Sequence, residues 1–185
     1  MKFNMNEEVG GQITIFNNGI AGKVENVTVS VEKRKADEPD TYPDYKVVIN
    51  DGSGSIPLTA GFNRVEESEV RQDQNFQRLK SVAKAVVPEG FVYPEVNTYT
   101  EAIDTLMKVI KDHSEGKKVN VFTSYGYLAK PSKFLGLRYF NFIENPNEQY
   151  SRLKASPTDV LERPTQDEPK VEAAQTGTSS NDWLM

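Results

Sequence analysis

The hydrophobic residues of this chain change their spacing twice, and these two changes constrain the fold more than any other feature. Four early segments are rich in β-branched and aromatic residues and are separated by turn-forming residues. They lie at residues 12–16, 23–34, 44–50 and 55–62. In the second segment Val27, Val29 and Val31 alternate with polar residues, which is the period of a half-buried strand. The pattern predicts a β-meander.

The middle of the chain has helical spacing instead. Apolar residues recur every three or four positions over residues 65–87 and again over residues 99–115, which predicts two amphipathic helices. Thr98 and Glu101 have the spacing of a capping box, and Gly116 stands where the second helix would end. Because an amphipathic helix must cover something, we assign both apolar stripes to the core.

Strand patterns return over residues 117–125 and 134–143, joined by a connection at 126–132. The whole order predicts an α+β fold with three or four strands, a helical insertion and two strands. It can be laid onto an OB-like five-stranded β-barrel with a helical insertion between strands 3 and 4. Other small α+β domains share this order, so they remain open as alternatives.

The C-terminal part of the chain has another character. Residues 156–185 carry six acidic residues against two basic ones, and four prolines interrupt the sequence after residue 144. We therefore expect one folded domain over residues 1–154 and a disordered acidic tail over residues 155–185. The chain ends on an apolar tip that includes its only Trp, and we interpret this tip as a partner-binding peptide. It consists of Asp182, Trp183, Leu184 and Met185.

Composition excludes several kinds of site. Without Cys, and with His113 as the only His, the chain has no disulfide framework, no thiolate nucleophile and no multi-histidine metal centre. No Gly-rich phosphate loop or Ser-His-Asp arrangement is present either. We expect a protein that is not an enzyme and that uses no metal or cofactor. A nuclease built from scattered carboxylates is the enzymatic alternative.

The sequence also lacks a membrane span and a secretory signal. No run of residues approaches the roughly 18 to 20 apolar residues that cross a bilayer, and the N-terminal stretch has no apolar core. We expect a soluble protein of the cytoplasm, or of the host cytoplasm if the protein is viral.

Residues 117–154 are the most informative stretch. They contain seven basic residues against two acidic ones, in a chain with a formal net charge of −5. They also contain eight of the 17 Phe and Tyr residues. Single-stranded nucleic acid is bound by this combination, because cations neutralise the phosphates and aromatic rings stack on the bases.

The alternation within these strands assigns faces. Val119 and Val121 share one face of the first strand, so Lys118 and Phe122 lie on the other, and Arg138 and Phe140 take the same side of the next strand. If the aliphatic faces form the core, these basic and aromatic side chains emerge together on the outside. The alternative is that helices cover this face too, which would make Phe122, Phe140 and Phe142 ordinary core.

The candidate DNA-binding residues fall in two groups. The first follows the strands and their connection: Lys117, Lys118, Phe122, Tyr125, Tyr127, Lys130, Lys133, Arg138 and Phe140. The second is a basic cluster that opens the loop before residue 42: Lys33, Arg34 and Lys35. Side chains in connections are less often buried, and contact with a ligand is easier there.

In this layout the chain resembles the single-stranded DNA-binding proteins of bacteriophages, which have an OB-fold body followed by an acidic tail with an apolar tip. The resemblance implies a protein that coats single-stranded DNA without sequence specificity during replication, recombination and repair, and it leaves RNA open as a second ligand. It also implies that the tip, Trp183 to Met185 here, recruits replication proteins. An acidic tail can compete with DNA for the basic surface of its own chain.

An alternative from another class is a non-enzymatic protein-interaction or virion component without nucleic-acid binding. In that case the aromatic residues are core and the lysines are incidental. Lys118 and Arg138 would then make no difference to oligonucleotide binding.

Overall fold

The computed structural model describes residues 15–34, 45–58, 65–138 and 141–164. Within these ranges the chain has an α+β fold, with two helices and an open six-stranded antiparallel sheet. The strands are β1 (Gly22–Lys33), β2 (Tyr45–Asn50), β3 (Ser55–Leu58), β4 (Lys118–Tyr127), β5 (Lys130–Leu137) and β6 (Ile143–Glu144). The helices are α1 (Glu69–Val86) and α2 (Tyr99–His113), and both lie between β3 and β4 as the change of period predicts.

The strand order across the sheet is β3-β2-β1-β4-β5, and β6 also pairs with β4. β1, β2 and β3 form the predicted meander, and β4 returns antiparallel to β1. The last two strands pair with successive parts of β4, with β6 beside Asn120 and Val121 and β5 beside residues 123–127. Among the described residues no hydrogen-bonded ladder joins β3 to β5, so the sheet is open at this point.

The strand predicted at residues 12–16 is wrong where the structure describes it. Residues 12–14 lie outside the described ranges, and Phe16 begins a short 3-10 turn that ends at Gly19. Asn17 and Asn18 take positive φ angles of 47° and 52° in this turn, a conformation that Asn tolerates better than most residues. The Asp51 carboxylate accepts a 2.6 Å hydrogen bond from the backbone N–H of Asn17 and so fixes the turn to the β2–β3 loop.

Both helices are confirmed, and so is the predicted N-cap at Thr98, whereas the Glu101 side chain reaches one residue beyond it. The Thr98 hydroxyl accepts a 3.2 Å hydrogen bond from the N–H of Glu101, whose carboxylate accepts one of 3.0 Å from the N–H of Asn97. The second helix ends at His113, and Gly116, with φ of +70°, lies in the turn that leads into β4.

The main core lies between the helices and one face of the sheet. Its strand residues are those predicted to point inward, and in the register between β1 and β4 Val27 stands opposite Val119. The helices contribute Leu79 and Ile103, which are completely buried. Each fully buried aliphatic side chain of this layer stabilises the fold by roughly 1.5 to 3 kcal/mol.

The opposite face of β4 is also covered, and the cover is the segment at residues 145–164, which we term the C-terminal strap. The strap also pairs with the edge of β4 and with the turn that follows it, through hydrogen bonds from the N–H groups of Tyr125 and Leu128 to the carbonyls of Val160 (2.7 Å) and Thr158 (2.8 Å). Leu153 of the strap is itself buried. Residues 155–164, which we assigned to a disordered tail, therefore belong to the folded body, and the expected boundary after residue 154 cuts through the strap.

No helix in the described ranges is long and apolar enough to span a bilayer.

Candidate nucleic-acid interface

The connection between β4 and β5 is a tight hairpin and not the seven-residue loop that we predicted. β4 continues to Tyr127, β5 begins at Lys130, and these two residues pair across a two-residue turn. Gly126 is required beside this turn, because it has φ of +84° and a Cβ atom there would lie 2.5 Å from the carbonyl oxygen of Lys130. We term residues 126–134 the basic hairpin.

The basic hairpin presents cations and an aromatic ring to solvent. Lys130 and Lys133 are exposed, and neither forms an ion pair within the described ranges. Phe134 is 80% exposed and Leu128 is 67% exposed. The segment contains no acidic residue. A solvent-facing ring next to two exposed ammonium groups is the combination that stacks on a base and neutralises a phosphate.

Phe134 is a candidate that the sequence interpretation missed. It is one of the eight aromatic residues of the 117–154 stretch, where the sequence pattern places it at the start of the second strand. Its position directly after Lys133 was the available signal. Large apolar side chains are usually buried, so one that is this exposed requires a reason such as ligand contact.

Two aromatic residues in the candidate set are buried, which corrects the expectation that they face solvent. Phe122 is 3% exposed and Tyr125 is 4% exposed. The hydroxyl of Tyr125 donates a 2.5 Å hydrogen bond to the carbonyl of Gly19. The alternative that this face is covered is therefore confirmed for Phe122, although its ring lies under the Arg138 guanidinium, which the strap holds, and not under a helix. The Tyr125 hydroxyl bonds to the segment before β1 and not to the strap. Tyr127 is half-buried at the base of the hairpin.

Arg138 holds the strap in place. Its guanidinium lies over the ring of Phe122 at 5.3 Å and its Nε is 3.3 Å from Oδ2 of Asp159. It also donates to the carbonyl of Lys154. The side chain is 15% exposed and that of Asp159 is fully buried. Arg138 is thus occupied by the protein itself, whereas we expected it to face a phosphate.

The structure does not bring all the candidate lysines together. Lys117 and Lys118 are exposed, but they lie at the far end of β4 from the hairpin, about 30 Å away at roughly 3.3 Å per residue. Lys33 is exposed at the end of β1, and Arg34 next to it is half-buried.

Several candidate residues lie outside the described ranges. They are Lys35, Phe140, Asp182, Trp183, Leu184 and Met185. Their proposed roles in DNA binding and partner binding stay predictions.

Within the described ranges no group of three or more His, Cys, Asp or Glu side chains is arranged to hold a metal ion. Comparisons of this chain with protein-family models, with curated proteins and with solved structures found no match.

Proposed function

We propose that this protein binds single-stranded DNA without sequence specificity, through the basic hairpin. The observation that carries the proposal is the 80% exposure of Phe134 beside the exposed Lys130 and Lys133. Stacking of a base on one aromatic ring contributes roughly 1 to 3 kcal/mol for any base, which supports binding without sequence readout.

We further propose that the open sheet is an OB-like barrel. The strand order β3-β2-β1-β4-β5 is the order around such a barrel when it is opened between its third and fifth strands. OB-folds bind oligonucleotides with the face of their second and third strands and with the loops after strands 1 and 4. Here the loop after β4 is the basic hairpin, while β1 ends on Lys33 and Arg34 begins the loop after it.

The part of the chain after the strap gives the protein a second role in this proposal. Residues 165–185 carry four acidic residues against one basic residue. They compete with DNA for the basic hairpin at low salt, and the tip from Asp182 to Met185 contacts replication proteins. The effective concentration of such a tethered segment is on the order of millimolar.

The proposal is tested by titrating the protein into a fluorescent 30-nucleotide oligo(dT) and measuring anisotropy at low and moderate salt. Two results support the proposal: the affinity falls steeply as salt is raised, and unlabelled single-stranded DNA displaces the labelled oligonucleotide better than duplex DNA does. Failure of both the full chain and a chain ending at Pro164 to bind at low salt would falsify it. An oligo(rU) arm reports whether RNA is also bound.

A second candidate function is protein binding without a nucleic-acid partner, and the burial of Phe122 and Tyr125 favours it, because two of the expected base-stacking rings are core. In this case Phe134 and Leu128 form an apolar contact for another protein. The lack of any acidic residue in the hairpin makes DNA the better-supported partner, and the anisotropy titration separates the two.

A further inference from the structure

A groove of about 690 Å³ lies at the other end of the molecule from the basic hairpin. It is formed by the end of α1, the segment that follows it, the residue before β4 and the start of the strap. Ligand sites typically have volumes of about 300 to 1,000 Å³, so this groove is large enough for one nucleotide. Its only candidate residue from the sequence is Lys117.

One wall of the groove is aromatic. Phe91 and Tyr93 meet edge to face with their ring centroids 5.1 Å apart, and the ring of His113 meets Phe91 in the same way at 5.0 Å. The Tyr93 hydroxyl is buried and has no hydrogen-bond partner among the described residues. Burial accordingly raises the pKa of Tyr93. A buried hydroxyl without a partner is costly, so Tyr93 gains a hydrogen bond if its ring moves to meet the polar edge of a ligand in the groove.

The rim of the groove carries charge and amides. Lys84 and Lys117 are exposed and have no ion pair within the described ranges. One of the two acidic side chains there, Glu148, is paired with Arg152 at 3.7 Å, whereas Glu89 has no such partner in the part of the chain that the structure describes. The two ammonium groups are therefore the groups available to an anion.

We infer that this groove binds a nucleotide unit, with its base against Tyr93 and its phosphate between Lys84 and Lys117. The aromatic wall with its unsatisfied hydroxyl and the two lysines without ion pairs together match a ligand that is flat and polar at one end and anionic at the other. The unit comes either from a bound single strand or from a free mononucleotide. The first source rests on the proposed DNA binding, and the second does not.

The test is equilibrium dialysis of the full chain with labelled dTMP, together with anisotropy of oligo(dT) of about 4 and about 16 nucleotides, the range of site sizes for one OB-fold. The test variant is Lys84→Glu/Lys117→Glu. The matched control is Lys108→Glu, which reverses another exposed lysine on a helix away from the groove. All three positions are exposed, and melting temperatures verify that both variants fold.

If the unit is a free mononucleotide, dTMP binds and the double variant weakens its binding by about tenfold, since two charge contacts become repulsive. If the unit belongs to a bound strand, the double variant binds the 16-mer more weakly than the wild type does. Its affinity for the 4-mer is unchanged, because the 4-mer binds at the hairpin. The control variant changes neither. Thymidine without phosphate and deoxyribose phosphate without base bind more weakly than dTMP.

The inference is overturned if dTMP does not bind at concentrations on the order of 10 mM and the double variant binds both oligonucleotides as the control does. In that result the proposed function survives, because wild-type binding to oligo(dT) is measured in the same titrations. If instead the wild type binds dTMP but no oligonucleotide, the proposed function is wrong and the inference about the groove stands.

Discussion

At the residue scale, two phenylalanines on neighbouring strands have opposite roles. Phe122 and Phe134 each have one apolar and one polar or basic neighbour in the sequence, yet one is 3% and the other 80% exposed. The alternation in β4 correctly placed Phe122 opposite Val119 and Val121. It could not show that this face is covered, because the cover is a polar, proline-containing strap about 20 to 40 residues later in the chain.

Substitutions of the two phenylalanines should have opposite effects on stability and on DNA binding. Phe122→Ala leaves a cavity in a buried site and lowers the free energy of unfolding by about 3 to 5 kcal/mol. Phe134→Ala changes stability by less than about 0.5 kcal/mol but weakens oligo(dT) binding at least about fivefold. Chemical denaturation and anisotropy measure the two effects. A large stability loss in Phe134→Ala with unchanged affinity would contradict the assignment.

Asp51 predicts a pH dependence of stability. Burial alone would raise its pKa, but hydrogen bonds from the N–H groups of Gly54, Asn17 and Ser53 and from the Ser53 hydroxyl lower it overall. A lowered pKa in the folded state means that the ionised carboxylate stabilises the fold above about pH 4 and that this contribution disappears as the pH falls through the folded value.

We therefore expect Asp51→Ala to lower the free energy of unfolding at pH 7 by about 1 to 2 kcal/mol. The difference from wild type should shrink as the pH falls below about 4. Denaturation at a series of pH values measures it, with the exposed helix residue Asp112→Ala as control. A difference that is the same at pH 3 and pH 7 would show that the carboxylate charge has no part in it.

At the element scale, the sequence predicts the helices and strands that have a regular apolar period, but it does not predict the irregular segments. The two helices and the β-meander follow from apolar spacing and from capping residues such as Thr98 and Glu101. The hairpin turn at Leu128 and Ala129 lacks the Asn-Gly or Asp-Gly signal of two-residue turns. The strap has no period, because its hydrogen bonds to β4 are made by a few residues of irregular chain.

The strap depends on one partly buried ion pair. Arg138→Ala leaves the buried carboxylate of Asp159 without its cation, so we expect a loss of about 3 kcal/mol in the free energy of unfolding. Arg152→Ala is the matched control, since its pair with Glu148 is exposed and should matter by less than about 0.5 kcal/mol. Because Arg138 is occupied by the strap, oligo(dT) affinity of the folded variant should stay within about twofold of wild type. A selective loss of affinity would instead show that Arg138 contacts DNA.

At the scale of the whole molecule, the boundary between body and tail decides how the chain can be shortened. A chain ending at Lys154 loses the segment that pairs with β4 and removes the partner of Arg138, so it should melt at a lower temperature than the full chain. A chain ending at Pro164 keeps the strap and should melt within about 2 °C of the full chain.

The truncation after Pro164 also tests whether the acidic tail competes with DNA for the basic hairpin. The chain ending at Pro164 lacks four acidic residues and one basic residue, so it should bind oligo(dT) more tightly than the full chain at low salt and equally at high salt. Anisotropy at two salt concentrations measures the effect. Equal affinities at both concentrations would remove the competition from the proposal.

The net charge of the whole chain gives no sign of the candidate site. The net charge of −5 alone argues against a nucleic-acid partner, and only its division along the chain pointed to residues 117–154. That division located the stretch but not the surface within it. In the fold Phe122 and Tyr125 are buried, and Arg138 is bonded to the strap. Lys117 and Lys118 lie far from the hairpin. The exposed residues of the hairpin are Lys130, Lys133 and Phe134.

The central claim, that the basic hairpin binds single-stranded DNA, is tested most directly by the salt dependence of oligo(dT) affinity in Lys130→Glu/Lys133→Glu. Lys108→Glu serves as the control. We predict lower affinity at low salt and a slope of log K against log salt that is reduced by about 0.7 for each phosphate that the variant no longer neutralises, with the control unchanged. A hairpin variant that is folded and has the same affinity and slope as wild type would contradict the claim.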